Sequence, residues 1–477
     1  MSFLTSTFLG KSHSFKALAT FCVILSIAGC TSMGFTELFS DYAEQLRNAR
    51  NAQLKGDFKT AAAMIVEPKT NQNNYTLNLL EKARLHYLAN DWEQSRKDFE
   101  LVSKALDEEA NKAKLRVSKG ISNVAALVSS DNAITYKVPT YEQTMLHSYQ
   151  ALNYLFLGKL ESALVEVRRA NLVQESALKQ HQQALLNEQA NFDNNALKRA
   201  YPSMSAMIGD IKNGFQNAYS FYLSALLYEA ASQPNDAYID YKRALEIYPN
   251  NYYLQQDVLR LASKLKMKDD LALFTNQFGA YQSGDIVGDG ELVVIVENGA
   301  INPKQEVRIN LPIYGSVAQP RLFSLALPVY TGTLTSYPPL QINVRGQNYT
   351  SQQIVRLQSL ASKQLQEQMP GLVTRQALRL AAKEQLRSSI SKKGGEIGNI
   401  LAVLYNATSE QADTRSWLTL PDEVQILRLT LPKGKQQIDI SIGGKTQLIE
   451  VEIRPNRIGL LNITTIGSFQ GHKFTPL

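Results

Sequence analysis

The stretch from Ala218 to Asn251, AYSFYLSALLYEAASQPNDAYIDYKRALEIYPNN, constrains the fold more than any other part of the chain. Read as one 34-residue helix–turn–helix unit, it puts Phe221, Ala225 and Tyr228 on a first helix. Ala237, Tyr241 and Ala244 fall on a second, and Pro249 closes the unit. Small residues stand where two helices must approach closely, and aromatic rings fill the space between them.

Seven positions in register with the ending ALEIYPNN match the tetratricopeptide (TPR) pattern. Other units fit the same length. One over 42–75 carries Ala49, the turn Gly56-Asp57, Ala61 and Ile65; a second over 76–109 carries Ala83, the turn Asn90-Asp91, Phe99 and Val102. Residues 110–143 break the register, and VSSDNAITYKVPTYEQ reads as a loop. A unit over 144–177 restores it with Ala151, Tyr154, Gly158, Ala163 and Ala170. The Gln/Asn-rich stretch after it keeps a helical face through Leu178, Leu185 and Leu186, so about 178–217 is expected to be a long helical arm. Residues 252–280 read as a degenerate closing repeat, whose outer face is polar because nothing stacks on it.

The N-terminal segment lies outside that pattern. Lys11 and Lys16 precede an apolar run from Ala17 to Ile27, closed by Ile27-Ala28-Gly29-Cys30. That spacing resembles a lipobox: residues 1–29 form a signal peptide, and Cys30 becomes the acylated (palmitate-bearing) first residue of the mature chain. A plain secretory peptide or a membrane helix are the alternatives, although the run falls short of the roughly 20 residues a bilayer requires. Thr31, not Asp, follows the cysteine, which by the same resemblance directs the protein to the outer membrane; that the body faces the periplasm is a separate expectation, which residue 31 does not decide. Acyl chains would supply the anchor, each buried methylene contributing about 0.8 kcal/mol. The only other cysteine, Cys22, would leave with the signal, so thiol chemistry and disulfides are excluded from the mature chain. Beyond residue 29 there remain 48 basic and 43 acidic residues, a balance of +5 that gives little reason to expect nucleic acid as a partner.

Gly279, Gly284, Gly288 and Gly290 mark a boundary, beyond which the apolar period changes to two. GELVVIVENG, EVRINLPIY and RLFSLALPVY read as strands. TSQQIVRLQSLASKQLQEQ and VTRQALRLAAKEQLRSS read as helices broken at Pro370-Gly371, and VQILRLTLP, QIDISI, TQLIEVEI and IGLLNITTI as four closing strands in a meander or half-sandwich. The fold class is therefore α+β and multidomain: an all-α TPR-like solenoid over 30–280, then a mixed domain over 281–477 with antiparallel strands and a helical insertion.

No catalytic constellation emerges. His86, His147 and His181 lack a second ligand three or four residues away, so no metal is expected. Gly443-Gly444-Lys445-Thr446 mimics the end of a phosphate loop, but Asp439 stands where the earlier glycine is needed and the context is a hairpin. Ser389-Ile390-Ser391-Lys392 lacks the companion motifs of penicillin-recognising enzymes, Asp285 and Asp289 fail the calcium-loop spacing, and Glu108-Glu109 lie on a solvated face. No cofactor is implied, and the chain is read as a non-enzyme. In a TPR array the first helices line the inner groove. That places Arg84, Tyr87, Tyr219, Tyr222 and Leu226 there as partner-binding candidates, or else as packing between helices. Arg168-Arg169 and Arg415-Ser416-Trp417 either hold the domains together or meet a partner.

HSYQALNYLFLGKLESALVEVRRAN (147–171), VVIVENG (293–299) and ATSEQADTRSWLTLPDEVQILRLTLPKG (407–434) resemble a family of uncharacterised bacterial lipoproteins with TPR-like repeats and a C-terminal mixed α/β domain. The resemblance implies architecture, and a context in envelope or peptidoglycan assembly. The expectation is a lipid-anchored scaffold holding an envelope protein or peptide. A cell-wall glycan-binding or hydrolytic C-terminal domain is the alternative, and a spacer that carries that domain away from the membrane a third reading.

Overall fold

The computed structural model describes residues 41–118, 134–187, 202–281, 288–313, 321–376, 378–379 and 411–477. The expected signal segment 1–29 and Cys30 lie outside them, as do Ser389-Ile390-Ser391-Lys392, Asp285 and the middle of the expected arm. No helix among the described residues is long and apolar enough to cross a membrane.

Twelve helices precede the first strand among the described residues: α1 (Tyr42–Gln45), α2 (Arg47–Leu54), α3 (Phe58–Met64), α4 (Tyr75–Leu88), α5 (Trp92–Ser118), α6 (Thr140–Phe156), α7 (Leu160–Asn187), α8 (Pro202–Ile208), α9 (Ala218–Ala230), α10 (Pro234–Ile247), α11 (Tyr252–Lys264) and α12 (Lys268–Phe278). Five hairpins recur, α2–α3, α4–α5, α6–α7, α9–α10 and α11–α12. Each turns on one residue in the left-handed region: Gly56, Asn90, Gly158, Ser232 and Lys266, at intervals of 34, 68, 74 and 34 residues. In every case the next N–H donates to the carbonyl five residues back, as in Asp91 to His86 (2.9 Å) and Gln233 to Tyr228 (2.8 Å). This closure satisfies carbonyls that a helix end would leave open. The 68-residue interval equals two periods, so the register survives the break at 110–143. The small residues expected at close approaches, Ala83, Ala151, Ala163, Ala170, Ala225, Ala237 and Ala244, are all fully buried. Helix α12 buries none of its residues, as an end cap does.

The strands follow: β1 (Gly290–Asn298), β2 (Gln305–Ile313), β3 (Arg321–Val329), β4 (Gln341–Val344), β5 (Gln347–Thr350), β6 (Gln352–Arg356), β7 (Glu423–Leu431), β8 (Gly434–Ile442), β9 (Lys445–Ile453), β10 (Ile458–Ile466) and β11 (Phe469–Pro476). They form a five-stranded sheet ordered β11-β10-β1-β7-β6, a two-stranded β2-β3 ribbon, and a four-stranded sheet ordered β5-β4-β8-β9.

Three expectations are corrected here. The closing strands do not form a meander: β7 and β10 flank β1, β10 running parallel to it, while β8 and β9 leave for the other sheet. Residues 352–356, read as helix, pair with β7 instead, and the helix starts only at 357. That helix then runs unbroken through Pro370-Gly371 to 376. Leu365, Met369 and Leu372 bury its face, and this packing outweighs the single backbone bond that proline removes. Strand β11, for which the alternation gives no signal, pairs antiparallel with β10 and extends the sheet.

The change from helix to strand falls between Phe278 and Gly290, yet Tyr42–Leu477 forms one compact unit. The strands of the five-stranded sheet meet the hairpins in order. Phe469, at the start of β11, packs edge-on against Phe58 of α3 at 4.8 Å, and Lys473 of β11 reaches α4. Glu297 of β1 reaches α4 and α6, Arg428 of β7 reaches the α9–α11 region, and Gln353 of β6 accepts from Asn251 at the start of α11. The inner face of the array is thus packed onto the sheet.

Candidate functional site

All seven expected partner-binding residues within the described regions are buried, and the surroundings differ from an open groove. Arg84 and Tyr87 (α4) and Tyr219, Tyr222 and Leu226 (α9) are each 0% exposed. Arg84 donates through Nη2 to Glu297 Oε2 at 2.8 Å, and Tyr149 Oη donates to Oε1 at 2.9 Å. The guanidinium lies 4.2 Å from the Tyr149 ring centre and 5.0 Å from that of Tyr87. Lys473 Nζ sits 3.9 Å from the Tyr87 ring centre and donates to the Tyr87 carbonyl at 2.6 Å. Burial, with Arg84 nearby, brings the Lys473 ammonium down to about 7. Tyr222 stacks edge-on with Tyr241 of α10 at 5.5 Å.

Arg415 and Trp417 belong to a strap, residues 411–422, that lies against α4 and α6. Trp417 packs edge-on against both the Phe99 and Tyr149 rings, at 5.8 and 6.1 Å. Glu142 Oε1 accepts the Trp417 N–H at 3.0 Å, and the two oxygens of Glu81 accept those of Leu418 and Thr419 at 2.7 and 2.9 Å. Two buried carboxylates therefore hold three successive backbone donors. Burial pushes the Glu81 carboxyl up to about 7 and raises that of Glu142. Arg415 pairs with Asp413 at 2.8 Å and reaches Asn74 Oδ1 and the Ile134 carbonyl. Of the two alternatives for Arg415-Ser416-Trp417, the structure has them joining the halves. The groove reading is corrected: the apolar inner face needs a cover, and this chain supplies it from its own C-terminal half.

Arg168 and Arg169 lie on α7, where Arg168 Nε donates to Tyr228 Oη at 3.2 Å and Arg169 pairs with Glu166. His86 and His147 each face one carboxylate, Asp98 and Glu166, at 2.8 Å. Gly443 and Gly444, both with positive φ, form the two-residue turn between β8 and β9.

The seam does open at its far end. A cleft of about 510 Å³ lies among α11, the β4–β5 hairpin and the end of β7. Tyr252, Tyr253, Tyr281 and Tyr349 line it, with Leu429, Thr430 and Leu431 on the strand side. Its floor is an ion network. Arg428 contacts Glu291 (2.6 Å), Asp257 (2.9 Å) and Glu229 (3.1 Å), while Arg260 contacts Glu229 (2.6 Å) and Asp257 (2.8 Å). Burial alone would raise the Glu229 carboxyl, but Arg428 and Arg260 hold it far below the ordinary range. Glu291 is lowered the same way, whereas burial keeps Asp257 above its ordinary value despite both arginines. These residues escaped the sequence reading. Two signals were present: the Tyr252-Tyr253 doublet opening the closing repeat, and a lone arginine, Arg428, within the apolar run of β7.

No family model matches the chain, and no curated protein matches it. Similar solved structures include MamA (12% identity, 50% of this chain and 94% of that one, TM-score 0.27) and BtubC from P. vanneervenii (14%, 56% and 84%, 0.27). The TPR2AB domain of yeast Sti1 in its complex with pHSP90 is similar at 12% identity, over 49% and 87%, with a TM-score of 0.19. Similarity of this degree concerns half of the chain and says nothing of its partners.

Proposed function

We propose that this chain is a non-enzymatic scaffold of the cell envelope, anchored in the outer membrane by acyl chains on Cys30 with its body in the periplasm, that binds a protein or peptide partner in envelope or peptidoglycan assembly. One observation carries the binding part: the seam between array and sheet, filled elsewhere by the strap, opens into a cleft walled by tyrosines over an arginine network. Tyrosine and arginine bury large area while keeping polar contacts, which makes such walls effective partner anchors. The lipobox spacing supports the anchor.

The test is affinity capture from envelope extracts with the detergent-solubilised full chain and with Tyr252→Ala/Tyr349→Ala. A partner held by the native chain and lost from the double variant supports the reading; the same captured set for both refutes it. Mass spectrometry of Cys30 tests the anchor separately, and an unmodified cysteine refutes it.

A second reading, glycan binding or hydrolysis, draws on the same cleft, since tyrosine rings stack on sugar faces and Asp257, Asp289 and Glu291 line it. Hydrolysis is the weaker part of it: Glu291 and Asp257 are both bound by Arg428, which opposes the freely exchanging acid–base pair that glycosidases use.

A further inference from the structure

On the reading that the cleft takes a peptide or protein, we propose that its ligand is an extended segment that adds as a strand to the uncovered edge of β7 and sets a basic side chain against Asp257. The edge is defined by pairing. Strand β1 accompanies β7 along its whole length, from Asn298↔Glu423 to Gly290↔Leu431. On the opposite side β6 covers only Glu423–Ile426. The chain ahead of β6 turns away there: the Ser351 N–H donates to the Leu340 carbonyl at 2.9 Å, and Thr350 pairs with Gln341 in the other sheet. From Leu427 to Leu431, β7 therefore has no hydrogen-bonded strand on that side among the described residues; Arg428 and Thr430 are partly exposed there, while Leu427, Leu429 and Leu431 are buried. Alternate residues of such an edge direct N–H and C=O groups outward, a template for an added strand. Leu429, Thr430 and Leu431 line the cleft, so this template faces its interior.

The walls suit an extended backbone with one cationic side chain. Tyr252 and Tyr253 stand on α11 and Tyr349 on β5, and Tyr253 Oη donates to the Thr350 carbonyl at 2.6 Å, bracing one wall against the other. Asp257 is 2% exposed; its Oδ1 takes Arg260 and Arg428, and its Oδ2 has no hydrogen-bond partner. An unmatched oxygen on a buried carboxylate is costly, and a ligand donor would satisfy it. Three carboxylates (Glu229, Asp257, Glu291) meet two guanidinium groups (Arg260, Arg428) in this floor, leaving one negative charge, while Asp289 and Arg345 offset each other at the rim. A lysine or arginine side chain complements that excess and gains cation–π contact with the tyrosine faces. The volume of about 510 Å³ lies within the range of clefts that enclose small ligands, enough for a few extended residues.

The test uses the detergent-solubilised full chain and oriented decapeptide libraries whose central position is fixed as Lys, Leu or Glu, with chitotetraose as the glycan probe. The Lys-centred library is expected to bind about tenfold tighter than the Glu-centred one. Asp257→Asn, and separately the rim variant Asp289→Asn, should narrow that preference. In a selected peptide, N-methylation of alternate amides should abolish binding on one face and spare it on the other. Binding that ignores N-methylation on both faces overturns strand addition while leaving the peptide scaffold standing. Equal binding of the Lys and Glu libraries overturns the basic anchor. Retention of no library, with or without chitotetraose binding, overturns both this proposal and the peptide reading beneath it.

Discussion

The two ends of the seam between helices and sheet are built from the same materials and end differently. At the α4–α6 end, arginine, tyrosine and glutamate lie fully inside, and the strap 411–422 fills what the helices leave open. At the α11 end, arginine, tyrosine and carboxylates recur, but the half of β7 that β6 leaves unpaired and the Tyr252–Tyr349 walls border a cleft. A TPR-like inner face is thus not a binding groove by default. It is an apolar surface that something must cover, and whether a partner can use it depends on how much of it the chain covers itself.

Substitutions sharpen the contrast, beginning where the seam is closed. Arg84→Met leaves Glu297 buried without its cation, and should cost about 3–5 kcal/mol in denaturant unfolding, with much of the loss recovered in Arg84→Met/Glu297→Gln. Trp417→Ala removes the side chain packed against both Phe99 and Tyr149 and should cost about 3–5 kcal/mol by the same measurement. If Trp417→Ala is neutral, the strap is not holding the halves together; if Arg84→Met is neutral, the α4–β1 ion pair is not.

Titration of Glu81 gives the next effect. Its folded value of about 7 lies above the ordinary 4.5, so the folded state holds this proton more tightly than the unfolded chain. Its stabilising contribution is complete below pH 4.5 and is lost as pH rises through 7, a change of about 3 kcal/mol. Subtracting the pH profile of Glu81→Gln from that of the native chain, each measured by thermal unfolding from pH 4.5 to 7.5, should show this slope. Lys473, lowered from 10.5 to about 7, contributes above that window and with the opposite sign, its stability rising with pH between those values. The smallest effect belongs to the open end: Tyr252→Ala, at a residue 44% exposed, should change stability by less than about 0.5 kcal/mol while weakening peptide binding in the library assay.

Much of the array was legible because its determinants are local. The alanines at close approaches and the left-handed turn residues repeat along the chain, and each hairpin closes on residues fewer than 40 positions apart. The strands β1, β7, β8, β9 and β10 were legible as segments, but their partners were not. Alternation shows that Val293 and Leu460 belong to strands without showing that they sit side by side in parallel. Gln352–Arg356 read as helix because helix-favouring residues follow it without a break, and pairing with β7 overrode that local preference. FQGHKFTP hid β11, whose Phe469 and Phe474 are its main apolar side chains. The covered groove was least legible of all. Arg84 and Glu297 are 213 residues apart and Glu81 and Leu418 are 337 apart, and no periodicity connects such positions.

The account turns on whether the strap occupies the inner face in solution, and amide hydrogen exchange over Arg415–Leu420 tests that most directly. Three successive amides held by Glu142 and Glu81 should exchange at least about a thousandfold more slowly than unstructured chain, and Glu81→Ala should release those of Leu418 and Thr419 first. Exchange at the unstructured rate, with α4 and α6 still protected, would mean that the face stands open to a partner and that the strap does not close it.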